Sequence, residues 1–470
     1  MKNIFPLFLF TVFLLSACNR SNSYGDKIYI GGQIVNPHTH YVVLAQNEKV
    51  LDTLFLNQKN QFGAQLEDLT EGVYSLNHNP ESQTMYVEPG DSVLVWLNTL
   101  QFDKSMNFSG RGSEKSSFLL EMLLNNQENN ELILSYYKFN PEKFSRITDS
   151  IREQRIESLG NLNDEQKFSQ KFLDIAHTVI DYEYYDLRER YTFLIEKYNS
   201  QFADEIPEDF YNYRNEIDFS NESLQEYKVY TNFIENYLRS KSIENCNTDE
   251  DLDRSCFELG SYQNIRRRII LVDSLTTLPY MKNKFLDRLV TRGIVMAKNQ
   301  DRVDSILEVL ENINYSNIGQ AEDLAIIQKS YFEGSSIRKG KMINTSKEQV
   351  TYGDIISKPS VIFIWSLYAP SHYKWQHNNI KALRRKYPEV DFIGVNIDQG
   401  ETENWLRVVS SNNYNKDYEY QITNREISKE VFRKYIHKIF FVNSEAVIID
   451  GDAKLYSPNF ETELLEFLNR

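Results

Sequence analysis

Cysteine is scarce in this chain: three among 470 residues, Cys18, Cys246 and Cys256. None follows Cys256, so no thiol centre can form beyond that point. Cationic excess is missing too. Lys plus Arg is 52 against 67 Asp plus Glu, a net charge of −15. Such a surface repels phosphate backbones, so nucleic acid is not expected as a partner. The short basic run Arg266-Arg267-Arg268 reads as a solvated helix face. The apolar stretch Ile4–Leu15 falls short of the roughly 20 residues a membrane-spanning helix needs. No phosphate loop is present, because Gly110-Arg-Gly112 lacks the rest of that motif. His372 and His377 are five apart, on different faces of a helix, which disfavours a metal pair. No carboxylate pair has a spacing that compels a hydrolase, and neither metal nor cofactor is expected. The 41% apolar content supports a sizeable core, and the length suggests about three domains.

The N-terminus is a targeting segment. Lys2 supplies the positive end and Ile4–Leu15 the short apolar stretch. Leu15-Ser16-Ala17-Cys18 then resembles the lipobox of bacterial lipoproteins. That resemblance implies a signal peptide over 1–17, cleavage before Cys18 and acylation of that cysteine. The polar linker 18–26 follows. More than one acyl chain gives stable membrane anchoring, where a single chain binds only marginally. By resemblance to lipoprotein sorting rules, Asn19 and the absence of an acidic cluster after Cys18 imply an outer-membrane lipoprotein facing the periplasm.

Cys246 and Cys256 lie ten residues apart in an acidic, polar segment. The oxidising compartment permits a disulfide, worth about 2–3 kcal/mol by chain entropy. The segment between them, acidic and polar, offers no electropositive environment to activate a thiolate. The pair therefore reads as a structural bridge, with two free cysteines as the alternative.

The fold class expected is multidomain α+β. Residues 27–112 carry short strand candidates at regular spacing, among them Ile28–Val35, Tyr41–Ala45, Val50–Leu56, Gly72–Leu76, Thr84–Glu88 and Ser92–Leu97. Turn residues separate them, which predicts an antiparallel β-sandwich or barrel. The Gly-Gly-Gln-Ile opening, the Val-Glu-Pro-Gly-Asp-Ser turn and the exit Ser109-Gly-Arg-Gly-Ser113 resemble a β domain of unknown function found ahead of thioredoxin domains in envelope lipoproteins. Residues 113–336 read as a helical domain. Its clearest piece is one long amphipathic helix from Asp164 to Tyr198, with Phe168, Phe172, Ala176, Ile180, Tyr184, Leu187, Tyr191, Leu194 and Tyr198 on one stripe. The tyrosines of Asp181–Tyr185 read as large side chains at the edge of a helical core rather than as a ligand surface. From 342 to 470 the pattern becomes α/β.

The most informative stretch is Ser360-Val-Ile-Phe-Ile-Trp-Ser-Leu-Tyr-Ala-Pro-Ser-His372. Val361–Trp365 fits a strand buried on both faces. A turn with Pro370 and a helical pattern through Ile380, Leu383 and Tyr387 follow. The stretch resembles the Trp-Ala-Ser-Trp-Cys-x-x-Cys region of the TlpA/ResA-like thioredoxin family. Trp365 and Tyr368 stand at the two tryptophans, Ala369 and His372 at the two cysteines, with Pro370 and Ser371 between. The likeness implies a C-terminal thioredoxin-like α/β domain without its redox motif. The strand Ala446–Asp450 reads as its third core strand, turning through Gly451-Asp452 into Lys454-Leu-Tyr456. On that alignment the family's cis-proline falls on Ser444, in a trans, reshaped loop.

Thioredoxin chemistry needs a thiolate at a helix N-terminus and a resolving thiol one turn on. Neither is present, so no catalytic residue is assigned. His372 at a helix start is kept neutral by the dipole, and no orienting acid or oxyanion site accompanies Ser371. What remains is a surface. In relatives this groove binds extended peptide backbone, and Tyr368, Pro370, Trp375 and Ser444 are candidates to keep that use. Trp375 reads equally as an interface anchor or as packing onto the helical domain. The expectation is a lipid-anchored, redox-inactive binding or scaffolding module with a protein or peptide partner in the envelope. The rivals are a divergent thiol–disulfide oxidoreductase using Cys246 and Cys256, and a hydrolase or metal function centred on His372.

Overall fold

The structure, a computed structural model, describes residues 27–47, 49–244, 246, 254–423 and 429–469, the side chains of 130–132 and 429 excepted. The signal peptide, Cys18 and the linker lie outside the described residues. Among the described residues no helix is long and apolar enough to cross a membrane. The architecture is mixed α+β, with three sheets and many helices. It divides into two compact units, the first ending at Ser240 and the second running from Lys241 to Arg470. The helical stretch expected as one domain over 113–336 is thus shared between them.

The first unit begins with eight strands: β1 (Ile28–Val35), β2 (Tyr41–Gln46), β3 (Lys49–Phe55), β4 (Gln61–Leu66), β5 (Gly72–His78), β6 (Glu81–Val87), β7 (Ser92–Asn98) and β8 (Asn107–Arg111). They form two four-stranded sheets, ordered β4-β1-β7-β8 and β3-β2-β5-β6. Alternation puts Ile28, Ile30, Val93 and Val95 of one sheet and Val42, Leu44, Tyr74 and Met85 of the other into a single core. Two separate sheets make a sandwich rather than a barrel. It is not wholly antiparallel, because β1 pairs in parallel with β7, Tyr29 opposite Ser92. The chain leaves for the other sheet between them and re-enters β7 in the direction of β1. Helix α1 (Phe102–Ser105) sits between β7 and β8, and α2 (Ser113–Tyr136) packs on β6 and β8. Lys115 of α2 is buried, held by Glu88 at 2.9 Å and Asp91 at 3.0 Å in the turn before β7.

Helices α3 (Pro141–Gln166), α4 (Gln170–Tyr198), α5 (Ser200–Asp204) and α6 (Lys228–Ile243) follow. The expected single helix from Asp164 is broken here. Lys167 adopts φ 55°, ending α3, and the Ser169 hydroxyl caps α4 by accepting from the Phe172 amide. Of the apolar stripe, Phe172, Ala176, Ile180, Leu187 and Tyr191 face the core as expected, Tyr184 and Leu194 are half-buried, and Tyr198 is exposed. Tyr182 and Tyr185 pack among Tyr213, Tyr230 and Phe233 with centroids 4.7–6.0 Å apart. α4 also buries Glu183, Asp186 and Glu189. Asn129, Asn126 with Asn236, and Tyr213 with Arg214 respectively satisfy these carboxylates.

The second unit opens with the Cys246–Cys256 disulfide, both residues buried. Helices α7 (Tyr262–Leu275), α8 (Pro279–Val295), α9 (Gln300–Asn312) and α10 (Ile318–Lys329) pack on one another. The C-terminal part contributes β9 (Lys341–Ile343), β10 (Gln349–Thr351), α11 (Tyr352–Ile355), β11 (Ser360–Trp365), α12 (Pro370–Lys386), β12 (Asp391–Asn396), α13 (Thr402–Ser411), β13 (Glu419–Ile422), α14 (Lys429–Arg433), β14 (Ile439–Val442), β15 (Ile448–Ala453) and α15 (Phe460–Leu468). The seven strands form one sheet, ordered β10-β9-β13-β12-β11-β14-β15. β13, β12 and β11 are mutually parallel, β14 runs against them, and β15, antiparallel to β14, runs in their direction again. β11 is buried along its whole length, as its run of Val, Ile, Phe and Trp predicts. The helices are joined to this sheet. The Tyr435 hydroxyl donates to the Leu324 carbonyl of α10 at 2.8 Å, and the Ile337 amide donates to the Ala446 carbonyl at 2.9 Å.

One strand was misread in the sequence. The third core strand is Ile439-Phe-Phe-Val442, not Ala446–Asp450. The hairpin turns at Asn443–Val447, where Ala446 takes φ 61° and Asn443 Oδ1 accepts from the amides of Glu445 and Val447. Ile448–Ala453 is the outer strand of that hairpin. Four apolar residues directly behind the cationic stretch Lys434–Lys438 gave too short a run to stand out.

Candidate functional site: the turn between β11 and α12

β11 delivers the chain to the turn Ser366–Ala369, and Pro370 at the first helical position starts α12 without a backbone donor to satisfy. The turn is held from beneath by Asp398, which is 0% exposed. Its carboxylate accepts from the Ser366 hydroxyl at 3.0 Å and the Leu367 amide at 2.6 Å. It also accepts from Asn396 Nδ2 at 3.2 Å and the Arg433 guanidinium at 3.2 Å. Arg433 lies 4.1 Å from the Tyr368 ring centroid, a cation–π contact, and the Tyr368 hydroxyl donates to Glu401 at 3.2 Å. Tyr368 is nevertheless 60% exposed.

A second buried carboxylate, Glu419 of β13, lies under the start of α12 and is also 0% exposed. Trp365 Nε1 donates to it at 3.1 Å, and His377 Nε2 is 3.1 Å from its other oxygen. His377 Nδ1 lies 2.7 Å from the Tyr373 carbonyl and donates to it. The His377 ring stacks on Tyr414 at 3.7 Å between centroids. Gly394, opposite Glu419 on β12, makes room for this carboxylate. A Cβ there would fall 2.6 Å from a Glu419 oxygen.

The sequence-predicted residues are only partly brought together. Trp365 is buried beneath the turn, whereas Tyr368, Pro370 and Ser371 are exposed upon it, with Ala369 half-buried. His372 faces His437, Nε2 to Nδ1 at 3.1 Å. Trp375 is 41% exposed and its ring lies beside His372 at 6.3 Å. Ser444 is not part of the site. β14 runs against β11 with Ile439 opposite Phe363 and Val442 opposite Ser360. The residues just before Ile439 therefore flank the turn, and Ser444 lies beyond Val442 at the other end of the strand. His437 takes the place expected for Ser444. Burial, then the charge of His437, pushes the His372 imidazole down to about 4. Burial, then the charge of Lys454, also lowers His437. Two neutral imidazoles and no third orienting acid leave this pair without the parts of a nucleophilic triad. Among the described residues no group of three His, Cys, Asp or Glu side chains is placed to hold a metal.

Asp398, Glu419 and His437 were missed in the sequence. Asp398 carried one usable signal: it directly follows the carboxyl end of a buried parallel strand, where open α/β sheets place their ligand-facing groups.

No family model matches the chain, and no curated protein matches it. Solved structures do. The thioredoxin domain of a thiol-disulfide oxidoreductase from Bacteroides vulgatus is 19% identical, covers 29% of this chain and 98% of its own, and superposes with a TM-score of 0.22. A thiol:disulfide interchange protein from a Bacteroides species is 17% identical over 30% of this chain and 93% of its own, at 0.23. A secreted disulfide oxidoreductase from Mycobacterium tuberculosis is 12% identical over 28% and 95%, at 0.21. The strand order of the C-terminal sheet stands independently of these scores. The C-terminal fold is thioredoxin-like. Ala369, at the end of the turn, and His372, in the first turn of α12, are the two positions that the sequence resemblance aligns with thiols.

Proposed function

We propose that this chain is a lipid-anchored envelope protein. Its thioredoxin-like domain binds a protein or peptide partner without exchanging disulfides. The carrying observation is the turn itself. It is braced from below by Asp398, carries no sulfur and exposes Tyr368, while the first turns of α12 expose Trp375 beside His372 of the His372–His437 pair. Exposed aromatics on a fixed frame anchor interfaces at low entropic cost. The remaining cysteines support the same reading. Cys246 and Cys256 are bonded to each other and are 7% and 2% exposed, so an incoming thiolate has little access to either sulfur. The lipobox at Cys18 supports anchoring, and its sorting residues support an outer-membrane, periplasm-facing position.

The test has two arms. The soluble chain is assayed for insulin reduction beside its Cys246→Ser/Cys256→Ser variant, and no cysteine-dependent turnover is expected. The intact lipoprotein is then used to capture partners from membranes, in parallel with Tyr368→Ala/Trp375→Ala. A partner held by the native turn and lost with the double variant is the expected outcome. Cysteine-dependent reduction, or capture indifferent to the two aromatics, overturns the reading.

A further inference from the structure

Each sheet of the sandwich turns one face to the shared core, and the other face of β4-β1-β7-β8 is left open. Across its middle the register sets Gln61, Gln33 and Trp96 in one row and Gly63, Gly31 and Leu94 in the next. Tyr29, Leu94 and Trp96 are exposed there, and Phe55 at the end of β3 stands as a wall. Together they border a shallow cavity of about 670 Å³. Charged residues make up 25% of the chain, yet among the described residues no charged side chain lines this cavity.

The facing glycines give the surface its shape. A Cβ at Gly31 would fall 2.9 Å from the Tyr29 hydroxyl, and a Cβ at Gly63 would collide with the same oxygen. The Tyr29 ring therefore lies down along the sheet, and Gly31 is buried beneath it although it belongs to the outer face. Glycine inside a strand weakens it and often marks a close approach. The polar groups are neutral amides, each steadied at one end. Gln33 donates from Nε2 to the Lys59 carbonyl at 3.1 Å and keeps Oε1 as an acceptor. Gln61 accepts at Oε1 from Asn57 at 3.4 Å and keeps Nε2 as a donor. Neither the Tyr29 hydroxyl nor the Trp96 indole N–H is hydrogen-bonded among the described residues.

We propose that this face binds an uncharged oligosaccharide. A pyranose ring carries C–H groups on its flat sides, which pack on aromatic rings, and hydroxyls around its rim, which donate and accept at once. A flat-lying tyrosine and a tryptophan on adjacent strands meet the first need. Amides that keep one donor and one acceptor free meet the second. The neutral lining offers no counter-charge to a phosphate or carboxylate, which bind best through charge-assisted bonds. A lipid surface suits it less well, because the aromatics border a recess and no cation lines that recess to meet a headgroup. A peptide that extends a sheet needs an unpaired edge, whereas β1 and β7 are each paired on both sides. The site belongs to the first unit and is independent of the turn between β11 and α12.

Cellohexaose, maltohexaose, xylohexaose and chitohexaose serve as probes. They are titrated calorimetrically into the soluble, unlipidated chain at low and at high salt, with tryptophan fluorescence in parallel. Phosphatidylcholine vesicles are the rival probe, read by co-sedimentation. Tyr29→Ala/Trp96→Ala removes the stacking surface, and Gln61→Leu removes a hydrogen-bonding group but keeps the aromatics. Tyr198→Ala, an exposed aromatic elsewhere in the first unit, is the control. Expected is binding of at least one hexasaccharide that is indifferent to salt, since no ionic contact forms. Affinity falls about tenfold or more in the double variant and measurably in Gln61→Leu, while the control binds as the native chain does. No hexasaccharide binding at millimolar concentration, or binding that the double variant retains, overturns the proposal. So does co-sedimentation with vesicles that the double variant abolishes. If circular dichroism shows the double variant unfolded, Gln61→Leu decides, and an unchanged affinity there overturns the proposal.

Discussion

Replacing Asp398 by alanine removes the acceptor for four donors at once. Ser366 and Asn396 are small polar side chains, and the Leu367 amide and the Arg433 guanidinium are the costly partners. Removing one partner of a buried charge pair typically costs about 3–5 kcal/mol, because the other charge is left in a poor solvent. Arg433 has a side chain 28% exposed and can regain some water, which places the expected loss near the lower bound, about 3 kcal/mol. Three of the four tryptophans, Trp365, Trp375 and Trp405, lie in the second unit, so fluorescence during urea unfolding reports chiefly on it. The expected result is a lower midpoint with an unchanged m-value. Asp398→Ala combined with Arg433→Ala should show a coupling of about 1.5–3 kcal/mol, the range for a charge-assisted hydrogen bond. A loss below about 1 kcal/mol for Asp398→Ala, or additive single variants, refutes the claim that this carboxylate fixes the turn.

Other expectations follow from single contacts. His372 is depressed to about 4, so the unfolded chain, at about 6.5, binds the proton more tightly than the folded one. Its contribution is present above pH 6.5 and is lost as pH falls toward 4. Discounted for partial exposure it amounts to about 1–2 kcal/mol, and a His372 titration by NMR with a midpoint above 6 contradicts it. Glu183 runs the other way. Burial raises it to about 7, so the first unit loses stability as pH rises from 4.5 to 7, and Glu183→Gln should flatten that slope by about 2–3 kcal/mol in urea titrations at pH 5 and pH 8. Gly394→Ala drives a methyl group against Glu419 and should cost about 1–3 kcal/mol, read as a lower melting midpoint. Cys246→Ser/Cys256→Ser should lose about 2–3 kcal/mol against the oxidised chain and nothing against the reduced one.

What could be read from the sequence was whatever a local pattern specifies. β11 stood out because six consecutive residues buried on both faces leave an unbroken apolar run, and the start of α12 because Pro370 suits a first helical turn. The stripe of α4 was legible at period 3.6, but its start was not. The break at Lys167 rests on one left-handed residue that is neither glycine nor asparagine. β14 and the position of His437 were lost to register. An alignment resting on Ile449-Asp450 chose the wrong arm of a hairpin whose turn contains no glycine, Ala446 taking the positive φ instead.

The two buried carboxylates bear on what the domain does. In a working thiol centre, acids below the turn would act on a thiolate, and here no thiolate exists for them to act on. Desolvating a carboxylate costs several kcal/mol unless donors replace the lost water. Asp398 and Glu419 are both fully buried and both multiply bonded, so their donors offset that cost. Those donors include the backbone of the turn at Leu367, the indole of Trp365 at its base, and Arg433, which supports the ring of Tyr368 from the side. Their common effect is to fix a loop position, and a fixed exposed aromatic is of use to a binding surface. If the turn were a relic under no demand, removing Asp398 would leave partner capture by Tyr368 and Trp375 unchanged once the lost stability is restored by lower temperature. The binding reading requires that capture weaken with Asp398→Ala even where the chain remains folded.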